Sequence, residues 1–220
     1  MIALTVLCEG QSEAAFVNSV LYPHLVQFQV FPKPQPVTRR NYGTVPYDTF
    51  RKAVQAEIGR SRAHEFTTTM IDLYGLRGFP EQGRQPDETP HQRVARIEAA
   101  MANKLPNPRF IPYIQLHEFE ALIYVDLDQV PPSFPDTDVS PAINRLKAEV
   151  AGIEPELIDD GGATSPSKRL VRHVPVYDPL KHVVGPQIAG RIGIERLRAR
   201  CPHFAMWLSS LELLGRPSSD

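Results

Sequence analysis

The sequence contains little cysteine. Among its 220 residues only Cys8 and Cys201 are cysteines. Two cysteines cannot form a disulfide framework or a cysteine-based zinc site. A chain of this length can bury a complete hydrophobic core without such crosslinks.

The sequence also has no excess of charge of either sign. It carries 24 basic and 25 acidic residues, for a formal net charge of −1. Proteins that bind nucleic acid tightly and non-specifically are usually strongly basic, because neutralised phosphates supply most of their affinity. If this protein contacts nucleic acid, we expect it to use a local basic surface, metal ions or a basic partner.

Long hydrophobic runs, phosphate-binding loops and paired histidines are missing as well. The run Ile2–Leu7 is far too short to span a bilayer, and no charged leader or cleavage site accompanies it. We therefore expect a soluble, cytoplasmic protein that does not bind membranes. Without a glycine-rich phosphate loop the chain should not hydrolyse ATP itself. The seven histidines have no His-x-x-x-His spacing typical of a metal site.

Three segments have the composition of β-strands. Ile2–Leu7 is apolar and precedes Gly10, which predicts a buried parallel strand. Phe66–Ile71 predicts a second strand, and Arg109–Leu116 a third whose Pro112 indicates an edge or a bulge. Apolar residues at helical spacing lie between these strands, in residues 12–25, 47–62 and 91–105. Strands that alternate with helices predict an α/β fold with a doubly wound parallel sheet.

The character of the sequence changes near residue 130. Residues 1–130 are predicted to form the α/β core, and residues 131–220 a mainly helical part packed on it. Helical spacing recurs in residues 143–150, 187–200 and 204–214. The segment 30–46 contains four prolines and is expected to be a loop or an excursion at the sheet edge.

Each predicted strand is followed by acidic residues. Glu9 follows the first strand, Asp72 the second, and Glu118 and Glu120 the third. Ligands of open parallel sheets bind outside the carboxyl ends of the strands, so these side chains are expected to converge. Clustered carboxylates repel one another unless a cation neutralises them, and hard oxygen ligands favour Mg²⁺ or Mn²⁺. The sequence therefore predicts a divalent-metal site.

Each acid also has a purely structural interpretation. Glu13 lies in a first helical turn, where an acid interacts favourably with the helix dipole. Asp72 could be a helix cap or part of a turn. Glu118 and Glu120 could open a helix, and they point the same way only where the backbone is extended. We therefore expect one of these two glutamates to face the site.

Several motifs together resemble a known fold. An apolar strand ending in Glu-Gly, a helix opened by Ser-Glu and a second strand ending in Asp-x-x resemble the Toprim fold of topoisomerases, primases and nucleases of the overcoming-lysogenization-defect class. Over nearly the whole chain the sequence is similar to the bacterial domain-of-unknown-function family 4276. The residues that carry this similarity are 8–13, 71–76, 117–122, 192–195 and 201–204.

The resemblance implies roles for individual residues. Glu9 matches the Toprim glutamate, Glu13 the additional acid of the related nucleases, and Asp72 the first acid of the Asp-x-Asp motif. The second acid of that motif is replaced by Tyr74. Losing this carboxylate weakens one metal position, so that either Glu118 or Glu120 replaces it or one of two ions is bound poorly.

The resemblance also implies a catalytic lysine late in the chain. Lys181 and Lys168 are both candidates, and Lys181 is the one assigned here to catalysis. Tyr74 could hydrogen-bond a phosphate. The basic segment that begins at Lys168 and Arg169 could bind nucleic acid or dock a partner, although a solvated helix face explains it more simply.

The expected function is metal-dependent phosphodiester hydrolysis. The resemblance implies a nuclease that acts on DNA or RNA and works beside an ABC-type ATPase in phage defence. The alternative is a non-catalytic Toprim-like module that binds a partner protein or nucleic acid. The tyrosine at position 74 favours this alternative, and the clustered acids favour the nuclease.

Overall fold

A computed structural model describes residues 1–38, 44–60, 62–158 and 164–216. The main sheet has the strand order β2-β1-β4-β6, with β7 also pairing with β4, and every pairing is parallel. The strands β3 and β5 form a separate parallel pair. The bounds are β1 Ile2–Cys8, β2 Val30–Pro36, β3 Val45–Pro46, β4 Glu65–Asp72, β5 Leu76–Arg77, β6 Phe110–Ile111 and β7 Ile114–Gln115.

Helices occupy most of the rest of the described chain. The α-helices are α1 Gln11–Phe16, α2 Tyr22–Leu25, α3 Tyr47–Arg60, α4 Pro90–Lys104, α5 Ser140–Glu149, α6 Pro166–His173, α7 Lys181–Ile192, α8 Ile194–Arg200 and α9 Pro202–Leu213. A π-helical turn at Val17–Leu21 joins α1 to α2. The 3-10 segments are Val26–Phe28, Leu73–Gly75, Phe119–Val125, Leu127–Gln129, Pro131–Ser133, Pro155–Leu157 and Pro175–Leu180. Among the described residues, every helix is too short or too polar to cross a bilayer.

Helices cover both faces of the sheet. Side chains alternate between the two faces along a strand, so one strand contributes residues to both cores. Leu4, Val6 and Cys8 of β1 lie in one apolar core with residues of α1, α7 and α9. Leu7 faces the other core, to which α3 and α4 contribute. This arrangement confirms the prediction of an α/β fold with a parallel sheet flanked by helices and a helical C-terminal part. The division of the chain into two parts at residue 130 stays a prediction.

Two segments differ in detail from the sequence interpretation. Val30–Pro36 is an edge strand in full parallel register with β1, although its prolines indicated a loop or excursion. Prolines are tolerated there because an edge strand has a row of unpaired backbone groups. The third predicted strand is interrupted around Pro112 into β6 and β7, which both pair with β4 at the sheet edge, the edge position that Pro112 indicated as one alternative. The sequence predicts a helix capped by Ser12, but α1 already begins at Gln11 with Gly10 as its N-cap, so this cap is wrong. The sequence also predicts a Gly/Ser/Pro linker at 161–167, part of which lies outside the described residues.

The C-terminal helix α9 is fixed to the sheet by an aromatic stack. The indole of Trp207 lies 4.1 Å from the ring of Tyr113 at an interplanar angle of 10°. Its Nε1–H donates a 2.8 Å hydrogen bond to the Thr68 hydroxyl of β4. Stacking, burial and this hydrogen bond therefore act at one point of contact between α9 and the core.

Replacing Trp207 should destabilise the protein strongly. We expect Trp207→Ala to lower the free energy of unfolding by about 3–5 kcal/mol, the usual cost of removing a large buried aromatic side chain. Met206→Ala is the matched control, because the neighbouring Met206 is 64% exposed and should change stability by less than about 0.5 kcal/mol. Urea denaturation followed by circular dichroism measures both, and equal effects would contradict the proposed role of the stack.

Candidate functional site

A cleft of about 400 Å³ opens where β1 and β4 end. All five carboxylates predicted from the strand ends and the first helix line it. They are Glu9, Glu13, Asp72, Glu118 and Glu120. Tyr74 and Lys181 line the same cleft. The described chain therefore brings the predicted acids, the substituted tyrosine and one of the two candidate lysines together.

Glu9 is held between the two central strands. It follows β1 directly, and its backbone N–H donates to the carbonyl of Met70 at 3.1 Å. Its Oε2 accepts a 3.0 Å hydrogen bond from the backbone N–H of Asp72. The backbone of Asp72 thus positions the side chain of Glu9.

Gly75 gives the Glu9 carboxylate its space. A Cβ atom at this position would lie 2.6 Å from the carboxyl carbon of Glu9, closer than real Cβ contacts allow. The backbone of residue 75 is therefore packed directly against the acid, and only glycine fits. No sequence signal beyond its place three residues after Asp72 pointed to this role.

Asp72 has the least compensated carboxylate. It ends β4, and its Oδ1 is buried with no hydrogen-bond partner among the described residues. A buried carboxylate oxygen without a donor is costly. The turn interpretation explains the backbone position of Asp72 but leaves this oxygen unexplained.

Glu13 both caps the first helix and lines the cleft. It is the third residue of α1, and its Oε2 accepts a 2.8 Å hydrogen bond from the backbone N–H of Gly10. This bond caps the helix start, in the first turn where the helix dipole also favours an acid. The same side chain is buried in the wall of the cleft.

Both Glu118 and Glu120 line the cleft, where the sequence favoured one of them. The chain turns at His117, which has a left-handed φ of 60°. Glu118 is extended, and its Oε2 accepts a 2.9 Å hydrogen bond from the N–H of Ser167. Glu120 lies in the 3-10 segment that follows, and its Oε1 accepts a 3.1 Å bond from the Tyr177 hydroxyl.

Burial raises the pKa values of four acids in the cleft. The pKa of Glu9 is about 7, through loss of solvent and then the charge of Glu118. Burial likewise raises the pKa of Glu13 to about 7, with the charge of Glu9 adding to it. The pKa of Glu120 also reaches about 7, through burial and the charge of Glu118. Burial, and then the charges of the other four acids, raise the pKa of Asp72 well above its ordinary value.

Few of the described basic side chains lie close enough to offset the negative charge of the cleft carboxylates. Lys181 lines the cleft with its side chain 47% exposed, and its Nζ lies 3.7 Å from Asp178. Lys168 and Arg169 are not among the described residues that line the cleft, and Arg169 pairs instead with Glu149. Contact of Lys168 and Arg169 with a substrate, at a distance from the acids, therefore stays a prediction.

Sequence reasoning missed two further residues of the cleft wall. Ser167 supplies its backbone N–H from the start of α6, and His182 follows Lys181 in α7. Pro166 at a helix start is a recognisable signal for exposed N–H groups. Nothing local in the sequence indicates that this helix start lies beside Glu118.

A small basic pocket of about 40 Å³ shares the wall formed by Tyr74. Arg84, Arg93 and His117 line it, together with the acidic Glu88. The Nε of Arg93 is buried with no hydrogen-bond partner among the described residues, while its Nη2 donates to the carbonyl of Gln82 at 2.9 Å. Burial, and then the charge of Arg84, lower the pKa of Arg93. A basic pocket thus adjoins an acidic cleft, with Tyr74 between them.

These features define an α/β protein with an acidic cleft at the carboxyl edge of a parallel sheet. The model of a family described as Domain of unknown function (DUF4276) matches residues 8–212. The chain belongs to this family. Comparison of the chain with curated proteins and with solved structures found no match.

The acid cluster should make stability fall with rising pH in the absence of divalent ions. An unfolded chain releases the glutamate protons near pH 4.5, whereas the folded cleft holds those of Glu9, Glu13 and Glu120 until about pH 7. The contribution of these three protonated glutamates to the free energy of unfolding is therefore full below pH 4.5 and is lost as pH rises through 7. We expect the free energy of unfolding, measured with urea in EDTA, to decrease over this range.

Two variants test the source of that slope. Glu13→Gln should flatten the decrease, because one titrating group is removed from the cleft. Glu195→Gln changes an exposed carboxylate of α8 and should leave the slope unchanged. An identical pH dependence in Glu13→Gln and the unmodified protein would contradict the prediction.

Proposed function

We propose that the acidic cleft binds Mg²⁺ or Mn²⁺ and hydrolyses phosphodiester bonds of DNA or RNA. The observation that carries this proposal is the buried Oδ1 of Asp72, which lacks a hydrogen-bond partner among the described residues and lies among four further carboxylates. A cation is the simplest group that would satisfy this oxygen and neutralise its neighbours.

The donors fit a hard divalent cation. The five side chains offer only oxygen ligands, which Mg²⁺ and Mn²⁺ prefer. Backbone donors hold Glu9, Glu13 and Glu118 in place, and the Tyr177 hydroxyl holds Glu120. Ligating carboxylates that are themselves hydrogen-bonded are typical of metal centres. Asp72 and Glu9 would be central ligands, since both lie where the central strands end.

The chain also offers groups for proton transfer and charge neutralisation. A bound divalent ion would polarise the phosphate and lower the pKa of water. In the ion-free cleft the pKa values of Glu9 and Glu120 are both about 7. With Glu9 bound to the ion and therefore deprotonated, Glu120 is the acid that can hold or accept a proton near neutral pH. The ammonium group of Lys181 can offset negative charge that develops on the phosphate.

The basic pocket beside Tyr74 supports a nucleic-acid substrate. Its volume of about 40 Å³ exceeds the ~10–15 Å³ that one water molecule needs, so it suits a small anion. The buried Nε–H of Arg93 could donate to a phosphate oxygen. A phosphate that flanks the scissile one would bind there, while the scissile phosphate lies over the acids.

We also propose that the protein is related to Toprim nucleases. The order of Glu9, Asp72 and Tyr74 at two adjacent strand ends supports it, with a parallel sheet around them. An ABC-type ATPase as partner, and a role in phage defence, follow only from that resemblance. Cleavage should therefore be assayed with and without a co-expressed ATPase.

Cleavage should depend on the acids of the cleft. We expect the purified protein to cut plasmid DNA, single-stranded DNA or RNA with Mg²⁺ or Mn²⁺ but not with EDTA. Glu9→Gln and Asp72→Asn should each lower the rate at least about 100-fold, since each removes a ligand. Lys181→Met should lower it by about 10²–10³-fold, through lost charge stabilisation. Gel assays and isothermal titration with Mn²⁺ measure cleavage and metal binding.

Glu195→Gln is the matched control, because it removes an exposed carboxylate outside the cleft. Equal cleavage and equal Mn²⁺ binding by Glu9→Gln and the unmodified protein would refute the proposal. Mn²⁺ binding without cleavage, alone or with the ATPase, would instead favour a non-catalytic binding module. Tyr74 in place of a second aspartate favours that alternative.

Arg93→Gln should weaken nucleic-acid binding without affecting the metal. We expect about 10-fold lower affinity for a short oligonucleotide in EDTA, and a salt dependence reduced by about one phosphate contact. Arg145→Gln removes an exposed arginine of α5 as the control. Fluorescence anisotropy at several salt concentrations measures both, and equal loss in the two variants would count against a specific phosphate pocket.

A further inference from the structure

A second cluster of ligand atoms lies outside the acidic cleft. His91 is the second residue of α4, and Glu154 and Glu156 flank Pro155 in a short 3-10 segment. The Nε2 of His91 lies 3.3 Å from Oε1 of Glu154 and 3.3 Å from Oε2 of Glu156. One ligand atom from each of the three residues lies within 4.8 Å of the others.

The His91–Glu156 contact meets hydrogen-bond geometry, but both contacts are long for bonds between an imidazolium and a carboxylate. A charge-assisted N–H···O bond to a carboxylate is about 2.7–2.9 Å long, and both contacts exceed that range. In a tetrahedral zinc site with bonds near 2.1 Å, two ligand atoms are about 3.4 Å apart. Both contacts of the His91 nitrogen match that separation, and the two carboxylate oxygens lie within 4.8 Å of each other, so the three atoms are close enough to bind one ion.

The carboxylate of Glu156 is fixed for such a role. It is completely buried, and its oxygens accept backbone N–H bonds from His203 at 2.8 Å and Phe204 at 2.9 Å. These bonds also cap the start of α9, which explains the orientation of Glu156. They do not explain why Glu154 places a buried Oε1 with no hydrogen-bond partner beside the same imidazole.

We propose that His91, Glu154 and Glu156 bind a structural Zn²⁺ ion. The nitrogen ligand distinguishes this site from the all-oxygen cleft, because imidazole favours zinc over magnesium. The side chains of His91 and Glu154 are 27% and 36% exposed, which leaves access for the ion and for a water as fourth ligand. Bound zinc would join the start of α4 to the start of α9 through Glu156.

Zinc titration of the full chain tests this site independently of any nuclease activity. Zn²⁺ is titrated against a competing fluorescent chelator in millimolar Mg²⁺, which is the ion proposed for the acidic cleft. We expect one tight Zn²⁺ per chain, and affinity at least about 100-fold lower in His91→Ala and Glu154→Gln. Zn²⁺ should also raise the melting temperature of the unmodified protein, but not that of His91→Ala.

Two controls separate this site from other binding. His64→Ala changes an exposed histidine before β4 and should bind zinc normally, as should the cleft variant Glu9→Gln. Loss of tight binding in Glu9→Gln with retention in His91→Ala would overturn the proposal, as would the absence of one tight site in the unmodified protein. Should His91→Ala fail to fold, anomalous diffraction at the zinc edge from zinc-soaked unmodified protein replaces it. A peak between the three side chains supports the site, and no peak there refutes it.

Discussion

Mutual repulsion among five clustered carboxylates is the constraint around which the cleft is organised. Burial raises the pKa values of Glu9, Glu13, Asp72 and Glu120, and the charges of neighbouring acids add to the effect. The fold compensates with individual donors rather than with a buried basic side chain. These donors are the N–H groups of Asp72, Gly10 and Ser167 and the hydroxyl of Tyr177. One oxygen of Asp72 remains without such a donor among the described residues, and it marks where a cation would be most stabilising.

The sequence predicted the acidic side of this cleft because parallel sheets obey a simple geometric rule. An apolar run followed by an acid places that acid at the carboxyl edge of the sheet, and Glu9 and Asp72 both meet this description. The position of Glu13 follows from the same logic, since α1 starts directly after β1. The parallel sheet was predictable because strands alternate with helices along the sequence, whereas the strand order was not predicted.

The opposite wall was not predictable, because it depends on tertiary packing. Ser167 reaches Glu118 across 49 residues of sequence, and Tyr177 reaches Glu120 across 57. No local pattern encodes such contacts. The edge strand Val30–Pro36 was hidden for another reason: its prolines oppose strand formation unless the strand lies at an edge, and the sequence does not specify which strand is outermost.

The two walls of the cleft are also synthesised at different times. Glu9 precedes Lys181 and His182 by more than 170 residues, so the ribosome adds these two residues much later. At about 5–20 residues per second, roughly ten seconds or more separate the first acid from the lysine that faces it. Translation products that stop between the acids and Lys181 therefore carry the carboxylates without this counter-charge, and the cleft wall is finished only once α7 has been added.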